Sequence, residues 1–308
     1  MSINAKIFVM IPAYRDPSLI DTLRSLFNDA KNSKRVFVAI GAQYDEAIPM
    51  PDLSEFPAEN IRLVTIHPEN RPGVFRLRHI LNKLYANEEY YLSIDSHTRV
   101  IKDWDEILIN MLEDQPKFKT IIADSEGTGH ENEYSLLHMS VQETELYGPR
   151  LAMRQAETLM PTRNGTFEKI VYLQAGMFFT RGQFAREIRW GQFWHNDQEE
   201  PFLSYETFMM GWSTVAIHGK RVIHHEPTRY YDAVYESEPS YENRSFRDKY
   251  NQQHDFLQDI CPRIWQALLY NTGPYAIAYP VREAKEWWNY IGLAHEYQKY
   301  TNQSGHVS

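Results

Sequence analysis

A short apolar run that ends in two metal-binding residue types decides how this sequence is interpreted: Tyr90-Tyr91-Leu92-Ser93-Ile94-Asp95-Ser96-His97. Its first five residues have the aromatic and aliphatic composition of a buried strand. Asp95 and His97 then stand two residues apart, and in an extended loop such a carboxylate and imidazole can reach one divalent ion. Taken alone, the pattern also fits a capping aspartate followed by a surface histidine, so the surrounding sequence has to decide.

The first 125 residues alternate short apolar runs with amphipathic stripes. Strands are predicted at residues 7–11, 36–40, 61–66 and 90–94, and helices at residues 19–30, 77–85 and 104–112. This alternation is typical of crossover units between parallel strands. The sequence therefore predicts an α/β fold with a mixed, mainly parallel sheet flanked by helices.

The rest of the chain is less regular. Strands are predicted at residues 120–123, 170–173, 177–180, 214–217 and 222–223, and a helix at residues 199–210. Residues 124–147 are polar and predict an irregular segment. Beyond Glu226 the chain is rich in Tyr and Trp and has weak helical periodicity, which predicts a mainly helical C-terminal extension.

The composition describes an acidic globular protein. The 308 residues include 32 Lys and Arg, 41 Asp and Glu, and one cysteine, Cys261. A hydrophobic content of 43% supports a continuous core and excludes disorder. A single cysteine excludes an internal disulfide and a cysteine zinc site. No apolar run reaches the roughly 20 residues that span a bilayer, and the first is too short for a signal peptide. We therefore expect a cytoplasmic protein, in a cell or in an infected host cell.

Polar clusters follow several predicted strands, where the loops of an open parallel sheet converge on a ligand. These clusters are Pro12-Ala13-Tyr14-Arg15-Asp16, Asp95-Ser96-His97, Asp197-Gln198-Glu199-Glu200 and His224-His225. One Asp and two His, together with diphosphate oxygens, form a ligand set that suits Mn²⁺. Simpler interpretations stay open: Asp16 before Pro17 can be a helix N-cap, and Glu199 and Glu200 can stabilise a helix N-terminus.

These motifs in this order resemble those of nucleotide-sugar transferases of the GT-A type. More specifically, the sequence resembles the polypeptide α-N-acetylglucosaminyltransferase family, whose best-known members modify a hydroxyproline in a ubiquitin-ligase adaptor. The resemblance rests on four motifs: Ile11–Asp16, Gly73 with Arg78, Tyr91–Arg99, and Asp103-Trp104-Asp105. The likeness is close over roughly the first 125 residues. It continues more loosely through Gln174–Phe179, Asp197–Glu200 and His224–Glu226.

The resemblance implies a GT-A fold, a UDP-sugar donor, a divalent metal (Mn²⁺ or Mg²⁺) and retention of the anomeric configuration. It implies that the metal is held by Asp95, His97 and one late histidine, His225 or else His224. It places the donor nucleotide against Pro12, Tyr14, Arg15, Asp16, Arg78, Asp95 and Ser96. It places Asp197, Glu199 and Glu200 where sugar hydroxyls are bound or the acceptor is oriented. No general base is assigned, because in retaining enzymes of this type the leaving phosphate itself can accept the proton.

The same resemblance divides the chain into two parts. Residues 1–230 would form the GT-A catalytic domain, with a nucleotide-binding half at 1–125 and an acceptor half at 126–230. Residues 231–308 would form the aromatic-rich helical extension packed on that domain.

Two acceptors fit the sequence. A polypeptide hydroxyl follows from the resemblance. Residues 148–189 carry seven basic and three acidic residues, so this block is +4 within a chain of −9. Such a block could neutralise phosphates, which makes a 5-hydroxymethyl pyrimidine of phage DNA the alternative acceptor. Arginines scattered over several faces would give the same count.

Two other functions are less well supported by the sequence. A protein that binds a nucleotide sugar without transferring it should tolerate a broken metal set, yet Asp95, His97 and a late histidine are all present. A nucleotidyltransferase should carry a Gly-rich phosphate loop directly after the first strand, and Pro12–Asp16 is not such a loop.

Overall fold

The computed structural model describes residues 5–46, 48–70, 73–123, 134–145, 148–159, 167–190, 198–217, 222–225 and 261–303. The strands are β1 (Ile7–Tyr14), β2 (Val36–Gln43), β3 (Ile61–Thr65), β4 (Tyr90–Ile94), β5 (Thr98–Val100), β6 (Thr120–Ala123), β7 (Tyr134–Thr144), β8 (Gly148–Leu159), β9 (Phe167–Lys169), β10 (Met177–Arg181), β11 (Ser213–Ile217) and β12 (Ile223–His225). The helices are α1 (Leu19–Asn28), α2 (Val74–Asn82), α3 (Trp104–Glu113), α4 (Gln183–Glu187), α5 (Glu199–Met209), α6 (residues 261–270), α7 (Ala284–Tyr290) and α8 (Ala294–Gln303).

Eight of these strands form one sheet in the order β3-β2-β1-β4-β10-β6-β11-β9. Strands β1 to β4 are parallel to one another, and β11 is parallel to β6. Strand β10 runs antiparallel to β4 and β6, and β9 runs antiparallel to β11. The predicted mixed, mainly parallel sheet is therefore confirmed. Two smaller pairs, β5 with β12 and β7 with β8, lie outside this sheet.

The strand order reverses between β1 and β4. The chain moves outward from β1 through β2 to β3, and then returns to place β4 on the other side of β1. Loops that leave the carboxyl ends of two such strands point in opposite directions and open a crevice, which is where open α/β sheets bind ligands. Asp16 follows β1 and Asp95 follows β4, so the topology brings two predicted clusters to the same crevice.

The sheet is buried on both faces because alternate side chains of its central strands enter different cores. In β1, Val9 and Ile11 belong to the core that includes α1 and α3, whereas Phe8 and Met10 belong to the core that includes α2, α4 and α5. The helical residues of α6 and α7 join this second core, where Trp287 and Trp288 of α7 are fully buried. None of the helices in the described part of the chain has the length and apolarity needed to cross a membrane.

Two sequence predictions in the second half were wrong. Residues 134–144, predicted to be irregular, form β7, which pairs with β8. The mostly polar composition of this strand hides a few inward residues, such as buried Met139. Residues 170–173, predicted as a strand, are irregular. Their side chains are mostly buried, but the N–H group of Leu173 donates to Ser204 Oγ of α5 at 2.8 Å instead of to a strand. A local apolar run cannot reveal that distant partner.

Strand β1 is longer than predicted and contains Pro12 and Tyr14. A proline has no N–H group and is normally excluded from a central strand. The ladder between β1 and β4 extends only from Ile7 to Met10, so Pro12 lies where β1 has a neighbour on one side, opposite Gly41 of β2. Pro12 and Tyr14 therefore belong to the strand, and only Arg15 and Asp16 follow it.

Candidate functional site

Asp16 and His97 meet at the floor of the crevice. The Asp16 carboxylate is 1% exposed and accepts three hydrogen bonds: from the Ser18 N–H at 2.8 Å, from the Ser96 hydroxyl, and from Nδ1 of His97 at 3.0 Å. The Ser18 contact closes a turn that precedes α1, whose N-cap is Ser18, so the prediction of Asp16 as the N-cap was wrong by two residues. Both oxygens of the Asp16 carboxylate therefore accept hydrogen bonds from the protein. The predicted contact of Asp16 with the donor nucleotide stays a prediction.

The electrostatics of this pair follow from burial and hydrogen bonding. Burial opposes ionisation of Asp16, but the hydrogen bonds from His97, Ser96 and Ser18 outweigh it and lower the pKa of the carboxyl. Burial also disfavours the charged His97 ring, but the hydrogen bond to Asp16 and the charge of Asp95 outweigh it and raise the pKa of His97. The site therefore presents an ionised, inward-facing carboxylate that orients the imidazole.

Arg78 of α2 fixes the carboxylate of Asp95. Its Nη2 donates to Asp95 Oδ1 at 2.6 Å, and its Nη1 donates to Ser93 Oγ at 2.7 Å and to the Ala175 carbonyl at 2.5 Å. The Arg78 side chain is 3% exposed, whereas that of Asp95 is 30% exposed. Both terminal nitrogens of Arg78 are therefore bonded within the protein, and one of them orients Asp95. The predicted contact of Arg78 with the nucleotide stays a prediction.

Gly176 allows the chain to pass directly beside Asp95. A Cβ atom at position 176 would lie 2.3 Å from Asp95 Oδ2 and 2.7 Å from its Cγ. Such distances are far inside van der Waals contact, so any side chain here would displace the carboxylate. The loop before β10 therefore acts as a backbone wall on one side of Asp95.

Glu199 and Glu200 at the start of α5 have different surroundings. Glu199 is 3% exposed, and its Oε1 accepts the Phe75 N–H of α2 at 2.6 Å. Glu200 is only partly buried, and accepts the Tyr172 hydroxyl at 2.6 Å and the Ala175 N–H at 2.9 Å. Burial raises the pKa of both carboxyls, well above its ordinary value for Glu199. Asp197, predicted beside them, lies outside the described residues.

Arg15 lies at the other rim of the crevice and adopts a left-handed backbone conformation, with φ of +50°. Its N–H donates to the Gln43 carbonyl of β2 at 2.9 Å, and its guanidinium pairs with Asp45 just beyond β2. The guanidinium carbon also lies 5.6 Å from the Tyr14 ring centroid. Tyr14, Arg15 and Asp45 together form a partly exposed wall that combines an aromatic face with charged groups.

The late histidines are described by their place in β12 alone. Strand β12 is antiparallel to β5, with His225 opposite Thr98 and His224 opposite Arg99. His225 is thus the nearer of the two to His97 along the ladder. Among the side chains that the structure describes, no three His, Cys, Asp or Glu residues are grouped to hold a metal ion. The predicted third ligand, His225 or else His224, has a side chain outside that described set.

The donor set present fits a divalent metal. With its proton on Nδ1, held by Asp16, the neutral His97 ring has its lone pair on Nε2, the arrangement found in histidines that bind metals. Asp95 adds a partly exposed carboxylate, with Oδ1 bound by Arg78 and Oδ2 on the side of Gly176. An oxygen and an imidazole nitrogen with ordered outer contacts suit Mn²⁺ or Mg²⁺.

The basic block does not lie at this crevice as a unit. Its described members are Arg150 on β8, Lys169 on β9, Arg181 on β10, Arg186 in α4 and Arg189 after α4. Arg181 is opposite Tyr90, at the amino end of β4, whereas Asp95 follows the carboxyl end. Its guanidinium pairs with Glu113 at 2.5 Å. Arg181 therefore lies at the far edge of the sheet, which weakens the expectation of one phosphate-binding face.

Sequence reasoning missed three residues that shape the site: Asp45, Tyr172 and Trp190. Asp45 follows the carboxyl end of β2, so the rule that ligands bind beyond strand ends could have found it. Tyr172 and Trp190 carry no such signal, because their contacts with Glu200 and Arg78 join residues that are distant in the chain.

The comparisons with known proteins agree with this architecture. The sequence pattern of the family described as "Glycosyltransferase (GlcNAc)" matches residues 6–56 and 49–297. No curated protein matches the chain by sequence. Among solved structures, GalNAc-T7 with UDP, GalNAc and Mn²⁺ is similar with a TM-score of 0.51 and 12% identity, over 83% of this chain and 55% of that one. The chain thus spans about half the length of GalNAc-T7.

Residues 1–349 of S. aureus TarS are similar as well. Their TM-score is 0.51 at 13% identity, covering 95% of this chain and 80% of that one. The complex of the same TarS fragment with UDP-GlcNAc has a TM-score of 0.50 at 11% identity, covering 95% and 81%. Identities this low show the fold alone, and that fold is GT-A. The predicted fold class is therefore confirmed.

Proposed function

The chain belongs to the glycosyltransferase (GlcNAc) family, and we propose that it transfers a sugar from a UDP-sugar to a hydroxyl group of a macromolecular acceptor. The prediction of a glycosyltransferase is confirmed at the level of the family. One observation carries the rest: the sheet reverses at β1 and β4, and an oriented His97 lies there beside Asp95. The UDP, UDP-GlcNAc and Mn²⁺ in the neighbouring structures support the choice of donor and metal.

The wall formed by Tyr14, Arg15 and Asp45 would bind the nucleoside. Tyr14 offers a flat face for the uracil ring, and Pro12 continues that surface along β1. The left-handed turn at Arg15 lets its N–H bind β2 while the guanidinium stays at the rim. The guanidinium is held by Asp45, so it is placed before the donor arrives.

Asp95 and His97 would hold the metal, with His225 as the third protein ligand. When bound, the metal offsets the negative charge that builds on the departing diphosphate. Asp16 keeps the His97 ring in place, and Arg78 does the same for Asp95, so both ligands are oriented by buried partners. The choice of His225 over His224 is supported by its register position opposite Thr98, next to His97.

Glu200 would contact the hydroxyl groups of the transferred sugar. Both of its oxygens are held by donors, from Tyr172 and from the Ala175 N–H, so the carboxylate has a fixed direction at the edge of the crevice. Glu199 would instead act by capping α2, the helix that carries Arg78. For the transfer itself we propose retention: the bond from the anomeric carbon to the acceptor oxygen forms as the bond to phosphate breaks, and the leaving phosphate takes the acceptor proton.

For the acceptor we propose a polypeptide side-chain hydroxyl. The support is the resemblance of residues 11–105 to the polypeptide transferases. Modified DNA is the less supported acceptor, because Arg181 is at the opposite edge of the sheet from Asp95 and is already paired with Glu113.

A donor screen tests the proposal. The purified chain is incubated with Mn²⁺ and a panel of UDP-sugars, with a hydroxyl-bearing peptide library or hydroxymethylated DNA, and UDP release and product mass are measured. We expect UDP release with one donor, a mass increase of one sugar on a peptide, and loss of both in His97→Ala. Binding of a UDP-sugar without any release would instead favour a non-catalytic nucleotide-sugar-binding protein.

A further inference from the structure

We propose, resting on the function proposed above, that Trp190 and Glu206 are positioning residues that set the direction of Asp95 through Arg78. Neither residue lies at the crevice: Trp190 is fully buried, and Glu206 is 1% exposed on the inner side of α5. Both meet at the short segment that follows α4, and this segment contacts α2 beside Arg78.

Trp190 has a strained backbone. Its φ of +50° lies in the left-handed region, which is unfavourable for a bulky residue and persists only where the surroundings impose it. Here two helices impose it. The Arg189 N–H donates to Glu206 Oε1 of α5 at 3.0 Å, and Nε of the Arg189 guanidinium lies 3.7 Å from the same oxygen. On the other side, Nδ1 of His79 in α2 lies 2.6 Å from the Arg189 carbonyl and donates to it.

The strained turn presents the Trp190 ring to Arg78. The guanidinium carbon of Arg78 lies 5.8 Å from the ring centroid, within the range of a cation–π contact. The Nε atom of Arg78 is buried and has no hydrogen-bond partner among the described residues, so the ring supports a part of the guanidinium that no acceptor holds. The two terminal nitrogens then reach Asp95, Ser93 and Ala175.

A glutamate at position 206 costs more free energy of folding than an aliphatic side chain that only filled the same space. Its Oε2 is buried without a hydrogen-bond partner within the described part of the chain, and an unsatisfied buried oxygen destabilises the fold. An aliphatic side chain would avoid that cost but could not accept the hydrogen bond from the Arg189 N–H group. The presence of a carboxylate at position 206 is therefore explained by its hydrogen bond to Arg189, which holds the turn that carries Trp190.

The experiment compares Trp190→Leu with Trp212→Leu. Trp212 is a matched control: it is equally buried and packs on Phe184, 5.6 Å away, in the same aromatic cluster, but donates to Glu187 and has no contact with Arg78 among those described. Mn²⁺ affinity is measured by calorimetry in the presence of UDP, and the NMR signal of the Arg78 Nε–H group reports the order of the guanidinium without metal. Thermal melting confirms that each variant is folded.

We expect Trp190→Leu to broaden the Arg78 signal and to weaken Mn²⁺ binding up to about tenfold, because a less ordered Arg78 is the outer contact that Asp95 loses. Trp212→Leu should change neither. Glu206→Leu should resemble Trp190→Leu, and Glu206→Gln, which keeps an acceptor oxygen, should behave like the wild type. An unchanged Arg78 signal in folded Trp190→Leu overturns the inference, as does an equal effect of Trp212→Leu. A wild type with a sharp Arg78 signal but no Mn²⁺ binding contradicts the proposed function, and the Arg78 signals of the variants then decide the inference alone.

Discussion

Nδ1 of His97 lies 3.0 Å from Oδ2 of Asp16, so a carboxylate that is 1% exposed orients a ring that is 16% exposed. These two residues are separated by 81 positions in the chain and meet because β1 and β4 are neighbours in the sheet. A buried carboxylate behind a histidine is the arrangement by which proteins fix the tautomer of a metal ligand. The finding assigns Asp16 a role behind the proposed metal site.

Asp16→Asn should weaken Mn²⁺ binding by roughly 10- to 100-fold, because the amide lacks the charge that holds the Nδ1 proton of His97. Calorimetric titration of Mn²⁺ in the presence of UDP measures this. Asp21→Asn is the matched control, since Asp21 lies on α1 with a 52% exposed side chain that pairs with Arg24. Equal Mn²⁺ affinity in the two variants would contradict the role assigned to Asp16.

Gly176→Ala should displace Asp95. The added methyl group would overlap the carboxylate, which lies 2.3 Å from the ideal Cβ position, and the ion pair with Arg78 would break. We expect Mn²⁺ affinity and UDP release to fall at least about tenfold. Gly292→Ala is the control, because Gly292 has φ of +78° and nothing within 4 Å of its added Cβ. That variant should lose about 1–2 kcal/mol of stability from backbone strain while keeping its metal affinity.

The parts of the fold that were predicted correctly are those with local signals. Strands β1 and β4 are continuous apolar runs, and α1 and α3 have apolar residues at helical spacing, so each could be recognised within a few residues. The pairing of β7 with β8 could not, because its buried residues are few and the register joins residues that no local pattern relates. Asp95 and His97 could be predicted as metal ligands for the same local reason, since they are two residues apart.

Tyr172→Phe should lower kcat/KM for transfer about tenfold, because the lost hydrogen bond to a charged group is worth ~1.5 kcal/mol or more. Its hydroxyl lies 2.6 Å from Glu200 Oε2. Tyr90→Phe is the control, since Tyr90 makes the same kind of contact with Glu113 at 2.9 Å at the amino end of β4. Steady-state kinetics of both variants, and of Glu200→Gln, check this. If Tyr90→Phe loses as much activity as Tyr172→Phe, the effect is one of stability and not of Glu200.

The Glu200 contact also shows what sequence reasoning could not reach. Tyr172 and Glu200 are 28 residues apart, and Tyr172 lies in the segment that was predicted as a strand. The backbone there is irregular because its N–H groups bond to α5, from Leu173 to Ser204 and from Ala175 to Glu200. The acidic pair at the start of α5 was identifiable from sequence. That Glu200, and not Glu199, is oriented at the crevice follows from the contacts of Tyr172 and Ala175 with it, which are tertiary.

Glu206→Gln should stabilise the protein at pH 8 but not at pH 4. Burial raises the pKa of Glu206 to about 7, against an ordinary value of 4.5. The folded state therefore favours the protonated carboxyl, and stability falls as the pH rises from 4.5 to about 7, then stays level. The glutamine has no such loss, so its advantage should grow by roughly 3 kcal/mol across that window. Urea unfolding at several pH values measures the difference.

Glu113→Gln is the control and should behave oppositely. The hydrogen bond from Arg181 lowers the pKa of Glu113, so that carboxylate stabilises the fold above its unfolded pKa and loses this effect as the pH falls. A constant difference between Glu206→Gln and wild type from pH 4 to 8 would show that Glu206 is not buried as described.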